Sequence, residues 1–414
     1  MMQKPLQTIL IKPAGPDCNM ACTYCFYLNK KELFESTSIH RMPDELLKEL
    51  IRQAMEQSAE QVSFIWQGGE PTLMGLDFYR KTVELQQQFG RGQMVGNGLQ
   101  TNGLLINDDW IHFLKAYNWL VGLSLDGPEH IHDHYRRNSN GKGTWQKVVA
   151  NAERMLANDL AVNALVVVND YSVSYPDDIY QFHKNLGLPH MQFIPCVEVD
   201  IANPSQPSSF SVPAEKYGQF LCRIFDLWMN DFSGLTPTTS VRMFDSLFHL
   251  YMGQAAPECT LLNECGNYVV VEHNGDVFSC DFFVQPEWRL GNIKSSSLTE
   301  MLNSGKQRAF GLRKASQCDE CKNCRWLTFC RGGCPKDRIM GHGNNKQTYL
   351  CPAYKIFFEH SDKKFRQLAR EWEKQYSVMR TQRRNTEFSS NDKPGRNTSC
   401  PCGSGKKFKR CCGA

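Results

Sequence analysis

The stretch "CNMACTYCFY", residues 18–27, places three cysteines in a C-x3-C-x2-C array. It comes directly after "LQTILIKP", residues 6–13, a short apolar run that reads as a β-strand. A cubane 4Fe–4S cluster needs one external ligand on each iron, and four cysteines normally supply them. Cys18, Cys22 and Cys25 serve three irons and leave one open to an external molecule. A structural zinc site closes its four positions with protein groups. No fourth cysteine lies nearby in sequence, although a distant residue folding in is an alternative. The array therefore puts the chemistry just beyond the carboxyl end of the first strand.

Working outward, residues 6–197 alternate between strand and helix patterns. "QVSFIWQGG" (61–69), "GQMVGNGLQTNG" (92–103), "WLVGLSLDG" (119–127), "LAVNALVVVND" (160–170) and "HMQFIPCVE" (190–198) read as strands. Between them, "PDELLKELIRQAMEQ" (43–57) carries Leu46, Leu47, Leu50 and Ile51 on one helical face, with Pro43 suited to the first turn. Four more helical stretches fill the remaining gaps. Six strands with five helical crossovers predict a parallel sheet with helices outside, as an open sheet or a partial barrel. In either, ligands and catalytic groups gather at the carboxyl ends of the strands. Residues 198–213 read as a Pro- and Ser-rich loop, followed by the helix "AEKYGQFLCRIFDLWMND". "NYVVVEHNGDVFSCDF" (267–282) reads as a β-hairpin turning at Asn274-Gly275.

The chain has 414 residues, 41% of them hydrophobic, which is enough for a large core and more than one domain. A formal charge of +4 gives no ground for nucleic-acid or membrane binding by the whole chain. No apolar run is long enough to span a bilayer. The first residues lack the apolar segment and cleavage site of a signal peptide, so a cytoplasmic address is expected. Eighteen cysteines are unusual in a reducing compartment unless thiolates bind metal. They cluster, and only Cys196 and Cys222 stand alone. A secreted disulfide framework is the bland alternative, and the tight C-x2-C pairs count against it.

A cysteine array after the first strand, with Tyr24 before its last cysteine, resembles the radical S-adenosylmethionine (SAM) enzymes. That resemblance implies a partial (β/α)6 TIM-like barrel whose open iron is chelated by SAM through its amino and carboxylate groups. Reductive cleavage of the sulfonium would then give a 5′-deoxyadenosyl radical. Gly68, Gly69 and Glu70 in "QGGEP" would flank the cofactor, as would Gln100, Ser124, Asp126 and Val197 at successive strand ends. Arg136 would meet the SAM carboxylate through its planar fork. Taken singly, these residues read more simply as turn, surface or packing residues.

A second cysteine field comprises Cys259, Cys265, Cys280, Cys321, Cys324, Cys330, Cys334 and Cys351. Eight thiolates hold two fully ligated cubanes, but C-x2-C is equally a zinc spacing. The strings "IKPAGPDCNMACTYCFYL", "FIWQGGEPTL", "VGLSLDGP", "GDVFSCDFFV", "RLGNI" and "CKNCRWLTFCRGGC" resemble the SPASM auxiliary-cluster enzymes, and more narrowly the anaerobic sulfatase-maturating enzymes. By that resemblance Cys259, Cys265, Cys280 and Cys334 hold one auxiliary 4Fe–4S cluster. Cys321, Cys324, Cys330 and Cys351 hold the other, and Cys318 is one thiol more than the set needs.

The family oxidises a Cys or Ser of a sulfatase to Cα-formylglycine, in a Cys/Ser-x-Pro-x-Arg motif, with a low-potential donor such as flavodoxin or ferredoxin. The β-carbon loses a hydrogen atom, a base takes the thiol or hydroxyl proton, and an acceptor takes the remaining electron. Asp281, next to Cys280, matches the base, and Tyr27 and Gln67 match substrate-facing positions. Another peptide modification on the same scaffold, such as thioether crosslinking, is the alternative reaction. A non-catalytic zinc-rich adaptor is the alternative of a different class.

At the end of the chain, Cys400, Cys402, Cys411 and Cys412 surround "GSGKKFKR" and resemble the SEC-C motif. Four thiolates close a tetrahedral zinc site, and so short a segment folds only with metal. Its basic residues fit an acidic protein or ribosomal RNA, or simply a solvated loop. The expected segments are a barrel at 1–235, an auxiliary-cluster domain at 236–378, a linker at 379–399 and the zinc module at 400–414.

Overall fold

The computed structural model describes residues 3–34, 39–338, 347–387, 395–402 and 404–413. Six parallel strands run in sequence order: β1 Thr8–Lys12, β2 Gln61–Trp66, β3 Met94–Thr101, β4 Leu120–Ser124, β5 Ala161–Val168 and β6 His190–Pro195. The five expected crossover helices are Asp44–Gln57, Leu76–Phe89, Asp108–Ala116, Trp145–Ala157 and Pro176–Leu186. Each connects parallel neighbours, as a helix on the outer face of a parallel sheet must.

The pattern of burial explains the layering. Along β5 every second residue is buried, and β2 repeats the alternation. Helix Asp44–Gln57 buries Leu46, Leu47, Leu50, Ile51 and Ala54, the i, i+3, i+4 stripe of an amphipathic helix. Each fully buried Leu or Ile contributes roughly 1.5–3 kcal/mol. The half-exposed strand residues, Ile65, Gln100, Ser124, Leu165 and Val167 among them, occupy the other face. Pro43 sits at the cap of its helix, one residue before the first turn.

The sheet does not stop at β1. Strand Val269–Glu272 of the expected hairpin pairs in parallel with β1, placing Lys12 opposite Glu272. Asp276–Phe278 and Arg289–Asn292 add two antiparallel strands beyond it. The two residues Ser240–Val241 extend the other edge beside β6. The auxiliary region thus shares a sheet with the barrel, which the separate readings of the two segments did not foresee. The cause is an apolar strand, Val269–Val271, buried along its whole length, which needs a neighbour on both edges.

Residues Met1–Asp362 form one compact unit and Lys363–Ala414 a second. The helix beginning at Cys351 continues to Glu387, past the residue where the linker was expected to start, and 388–394 of that linker lie outside the described residues. Among the described residues no helix is long and apolar enough to cross a membrane.

Candidate active site and cysteine centres

The cysteine loop leaves β1 at Lys12, whose carbonyl accepts from Gly15 N–H at 3.1 Å. Two staples hold it. On one side Gly69 N–H donates to Gly15 O (2.9 Å) and Glu70 N–H to Asp17 O (2.8 Å). On the other, Ala21 N–H donates to Arg137 O (2.8 Å) and Thr23 N–H to Tyr135 O (3.2 Å). Gly69 permits the first staple: a Cβ there would lie 2.0 Å from Asp17 O. The loop presents Cys18 and Cys25 half-buried and Cys22 buried. Burial, with the Glu70 carboxylate nearby, pushes the Cys18 thiol up to about 12. Deprotonation there needs a cation, which fits a ligand thiol.

Glu70 is wholly buried, and its carboxylate is consumed within the protein. It accepts from Thr72 N–H (3.0 Å), the Thr72 hydroxyl (2.6 Å), the Thr101 hydroxyl (2.8 Å) and Asn102 N–H (2.8 Å). It ties the loop after β2 to the end of β3 and is a positioning residue. Asn102 in turn donates to Asn19 Oδ1 at 2.7 Å.

Tyr24, Asp126 and Arg136 are also buried, and they meet. The Tyr24 hydroxyl donates to Asp126 Oδ2 at 2.5 Å and receives Arg136 Nη1 at 3.0 Å. Asp126 Oδ1 accepts from Val167 N–H at 3.0 Å. These three link the cysteine loop to the ends of β4 and β5, and the Nε of Arg136 is buried without a partner. Gln100 and Ser124 stand on the half-exposed face of β3 and β4. Val197 is fully buried, and its carbonyl accepts from Lys336, which also pairs with Glu198 at 2.6 Å.

A second group gathers around Asp281. Tyr268 donates to Asp281 Oδ1 (3.0 Å), and Gln67 Nε2 lies 3.4 Å from Oδ2. Tyr27 is buried, with its hydroxyl on Glu272 and its ring 3.6 Å from the Lys12 ammonium. Burial pulls the Lys12 pKa down, and Asp281 and Glu272 pull against it. Lys12, Glu272, Tyr268 and Lys336 were missed in the sequence. For the first two a signal existed: each is a charge ending a buried apolar strand, "ILIK" and "VVVE".

The thiol spacings separate one kind of centre from another. Zn–S bonds of about 2.3 Å in a tetrahedron put sulfurs about 3.8 Å apart. Among the described residues, only Cys400, Cys402, Cys411 and Cys412 bring their ligand atoms within 4.8 Å of one another. Those four fit a single metal ion. No other group of three or more such ligands among the described residues comes as close together. Cys321, Cys324, Cys330 and Cys351 line one pocket together with Trp326 and Tyr354. Four thiols around one pocket are the number of donors a 4Fe–4S cluster takes.

Comparison with known proteins agrees with this geometry. Residues 13–183 match the radical SAM superfamily, 259–325 an iron–sulfur cluster-binding domain and 396–414 the SEC-C motif. The chain is 40% identical to a serine-type anaerobic sulfatase-maturating enzyme of Bacteroides thetaiotaomicron, covering 86% of this chain and 89% of that one. It is 35% identical to a cysteine-type enzyme of Clostridium novyi, over 88% and 97%. The solved structure of native anSMEcpe with bound AdoMet and a Cp18Cys peptide superposes with a TM-score of 0.81 at 34% identity, covering 88% of this chain and 99% of that one. Streptococcus suis SuiB bound to its precursor peptide shares the fold, with a TM-score of 0.61 at 14% identity, over 84% of this chain and 76% of that one.

Proposed function

The chain belongs to the anaerobic sulfatase-maturating enzymes, and from that premise we propose how its own residues carry out the oxidation of a sulfatase Cys or Ser to Cα-formylglycine. Cys18, Cys22 and Cys25 would hold the SAM-binding cluster. Cys259, Cys265, Cys280 and Cys334 would hold one auxiliary cluster, and Cys321, Cys324, Cys330 and Cys351 the other. When bound, the first cluster and SAM supply a radical that removes hydrogen from carbon.

The protein supplies the rest. Gly68 and Gly69 bring the loop after β2 against the cysteine loop, where the SAM amino group would sit. Tyr24, Asp126 and Arg136 brace that loop from the far side, with Gln100, Ser124 and Val197 lining the strand ends. Asp281 takes the proton from the substrate thiol or hydroxyl. Its orientation by Tyr268 and Gln67 leaves it poised as an acceptor within hydrogen-bond reach of a bound side chain. Tyr27 closes the floor beneath the substrate. Once the remaining electron has passed to an acceptor, a Cys substrate leaves as a thioaldehyde that water hydrolyses, and a Ser substrate leaves as the aldehyde directly.

The observation that carries this reading is Gln67. It precedes the Gly-Gly pair that touches the cysteine loop, and its amide reaches Asp281. One short loop thereby couples the radical source to the base. Barrel, auxiliary domain and terminal zinc module follow in the order of the three family matches, and the stretch between the last two holds helix Cys351–Glu387 rather than a linker beginning at 379. The SEC-C thiols would hold zinc, and their basic surroundings would contact an acidic protein or ribosomal RNA. The donor would be a flavodoxin or ferredoxin, and the compartment the cytoplasm, where thiolates stay reduced.

The test is anaerobic incubation with SAM, reductant and paired peptides carrying Cys-x-Pro-x-Arg or Ser-x-Pro-x-Arg. Aldehyde in at least one, with matching 5′-deoxyadenosine, is expected. Cofactor cleavage with both peptides unchanged would overturn the assignment.

A further inference from the structure

Among the described residues, two cations lie among the auxiliary cysteines without an acidic partner. Lys314 is fully buried, and its ammonium donates to the carbonyls of Cys259 (2.8 Å) and Thr260 (2.5 Å). Arg338 donates to the carbonyls of Arg313 (2.8 Å), Lys314 (3.0 Å), Ser316 (3.2 Å) and Gly332 (3.5 Å). Arg338 is half-buried, and its Nε is buried without a partner among the described residues. Neither forms a salt bridge among the described residues, although eighteen ion pairs occur elsewhere. Carbonyl dipoles alone do not compensate a buried charge, which is ordinarily paired.

The nearby negative groups are thiols. Lys314 lies in the electrostatic range of Cys265, Cys259 and Cys334, and Arg338 in that of Cys321, Cys265 and Cys334. Acidic groups also lie near these cysteines, Glu258 and Asp281 beside Cys259, Asp281 beside Cys280 and Asp337 beside Cys334, but none of them pairs with Lys314 or Arg338 among the described residues. Asp337 is itself 4.0 Å from Lys336. Arg338 also bridges the chain, reaching from the helix carrying Lys314 to Gly332, between Cys330 and Cys334.

We infer that Lys314 and Arg338 are the built-in counter-charges of the two auxiliary clusters and raise their reduction potentials. The inference rests on the ligand assignment proposed above. A 4Fe–4S core on four thiolates carries two net negative charges, and three after accepting an electron. A fixed cation beside it stabilises the more negative form and makes the cluster a better electron acceptor. The oxidation needs such an acceptor, because its substrate side chain gives up one electron after losing the hydrogen atom and the proton. Lys314, bonded at Cys259, acts chiefly on the first auxiliary set. Arg338 lies between the two sets and acts on both.

The test uses the full chain with Cys18, Cys22 and Cys25 replaced by Ala, so that only auxiliary signals remain. Lys314→Met, Lys314→Arg and Arg338→Gln are reconstituted with iron and sulfide, analysed for iron, and titrated by electron paramagnetic resonance. In Lys314→Met the reduced-to-oxidised ratio at fixed poise is expected to fall at least tenfold, about 59 mV in midpoint. Lys314→Arg retains the parent value, and Arg338→Gln shifts in the same direction as Lys314→Met. Unchanged midpoints in both neutral variants at full iron content overturn the inference. Should the neutral variants fail to take up iron while Lys314→Arg loads fully, charge compensation is supported. Failure of Lys314→Arg as well assigns the site to packing and overturns it. A parent protein that binds no auxiliary iron defeats the ligand assignment instead.

Discussion

At the scale of single residues, the base proposed for the oxidation is a carboxylate that is positioned rather than merely present. Asp281 receives Tyr268 on one oxygen and Gln67 on the other, so its lone pairs have fixed directions. Asp281→Asn keeps the shape and removes the proton acceptor. Formylglycine formation is expected to fall by roughly 10²–10⁴-fold, the usual worth of a general base. Binding of SAM and of the peptide should stay close to wild type, as measured by equilibrium titration. Wild-type turnover in Asp281→Asn would remove Asp281 from the reaction. Asp281 was legible only through family resemblance, since an Asp after a hairpin is ordinarily a cap. Asp126 was legible at a strand end, Arg136 as a contact to the SAM carboxylate and Tyr24 as the aromatic residue before the last cysteine of the array. Their mutual bonding was not, because it joins positions up to 112 residues apart in a three-way contact that no local pattern encodes. Glu70 makes the same point. Expected beside the cofactor, it also makes four hydrogen bonds within the protein that no local pattern announces.

At the scale of elements, the six strands and five crossover helices were readable because period-2 and period-3.6 burial follow directly from backbone geometry. The strand Val269–Glu272 was readable as a hairpin arm, but its docking on β1 was not, since pairing partners leave no trace in either strand alone. The loop after β2 gives a direct test of how elements build the site. Gly69→Ala places a Cβ 2.0 Å from Asp17 O and forces the two loops apart. The SAM-binding cluster should be lost selectively, about four of about twelve irons, with auxiliary signals intact. Full iron content would show that the loops separate without cost to the ligands. A second test concerns the helices. Asp231, at the end of helix Ala214–Asn230, accepts from Tyr180 (2.9 Å) and pairs with Lys184 (2.5 Å) on helix Pro176–Leu186. Burial raises its pKa, but the Lys184, Tyr180 and Thr239 hydrogen bonds prevail and hold it below the usual value. A depressed carboxylate stabilises the fold above its unfolded pKa of about 3.9 and loses that contribution as pH falls through the folded value. Asp231→Asn should therefore lower Tm at neutral pH, with the gap to wild type closing below about pH 4. A gap independent of pH would mean that the charge contributes nothing.

At the scale of the whole molecule, all the residues assigned to the oxidation lie between Lys12 and Cys351, within the unit Met1–Asp362. The terminal thiols stand apart in kind, grouped for one ion rather than a cluster. Their segment is held by few bonds of its own, among them Cys400 N–H to Lys406 O (2.8 Å) and Phe408 N–H to Thr398 O (2.9 Å). Cys402 and Cys411 approach to 3.4 Å between sulfurs, and the Ser404, Cys400 and Cys411 contacts hold the Cys402 thiol down to about 6. Four thiols gathered in a segment with almost no buried side chains describe a fold completed by its metal. Replacing both Cys402 and Cys411 by Ser leaves two thiols, too few to hold zinc tightly. Zinc content should drop from about one per chain to near zero, and limited proteolysis should cut within residues 395–413. Iron content and the rate of peptide oxidation should remain those of the wild type, because no residue assigned to that chemistry lies in the terminal unit. A parallel loss of iron would mean that the four thiols belong to the cluster machinery. Loss of peptide oxidation at full iron content would bring the zinc module into substrate handling.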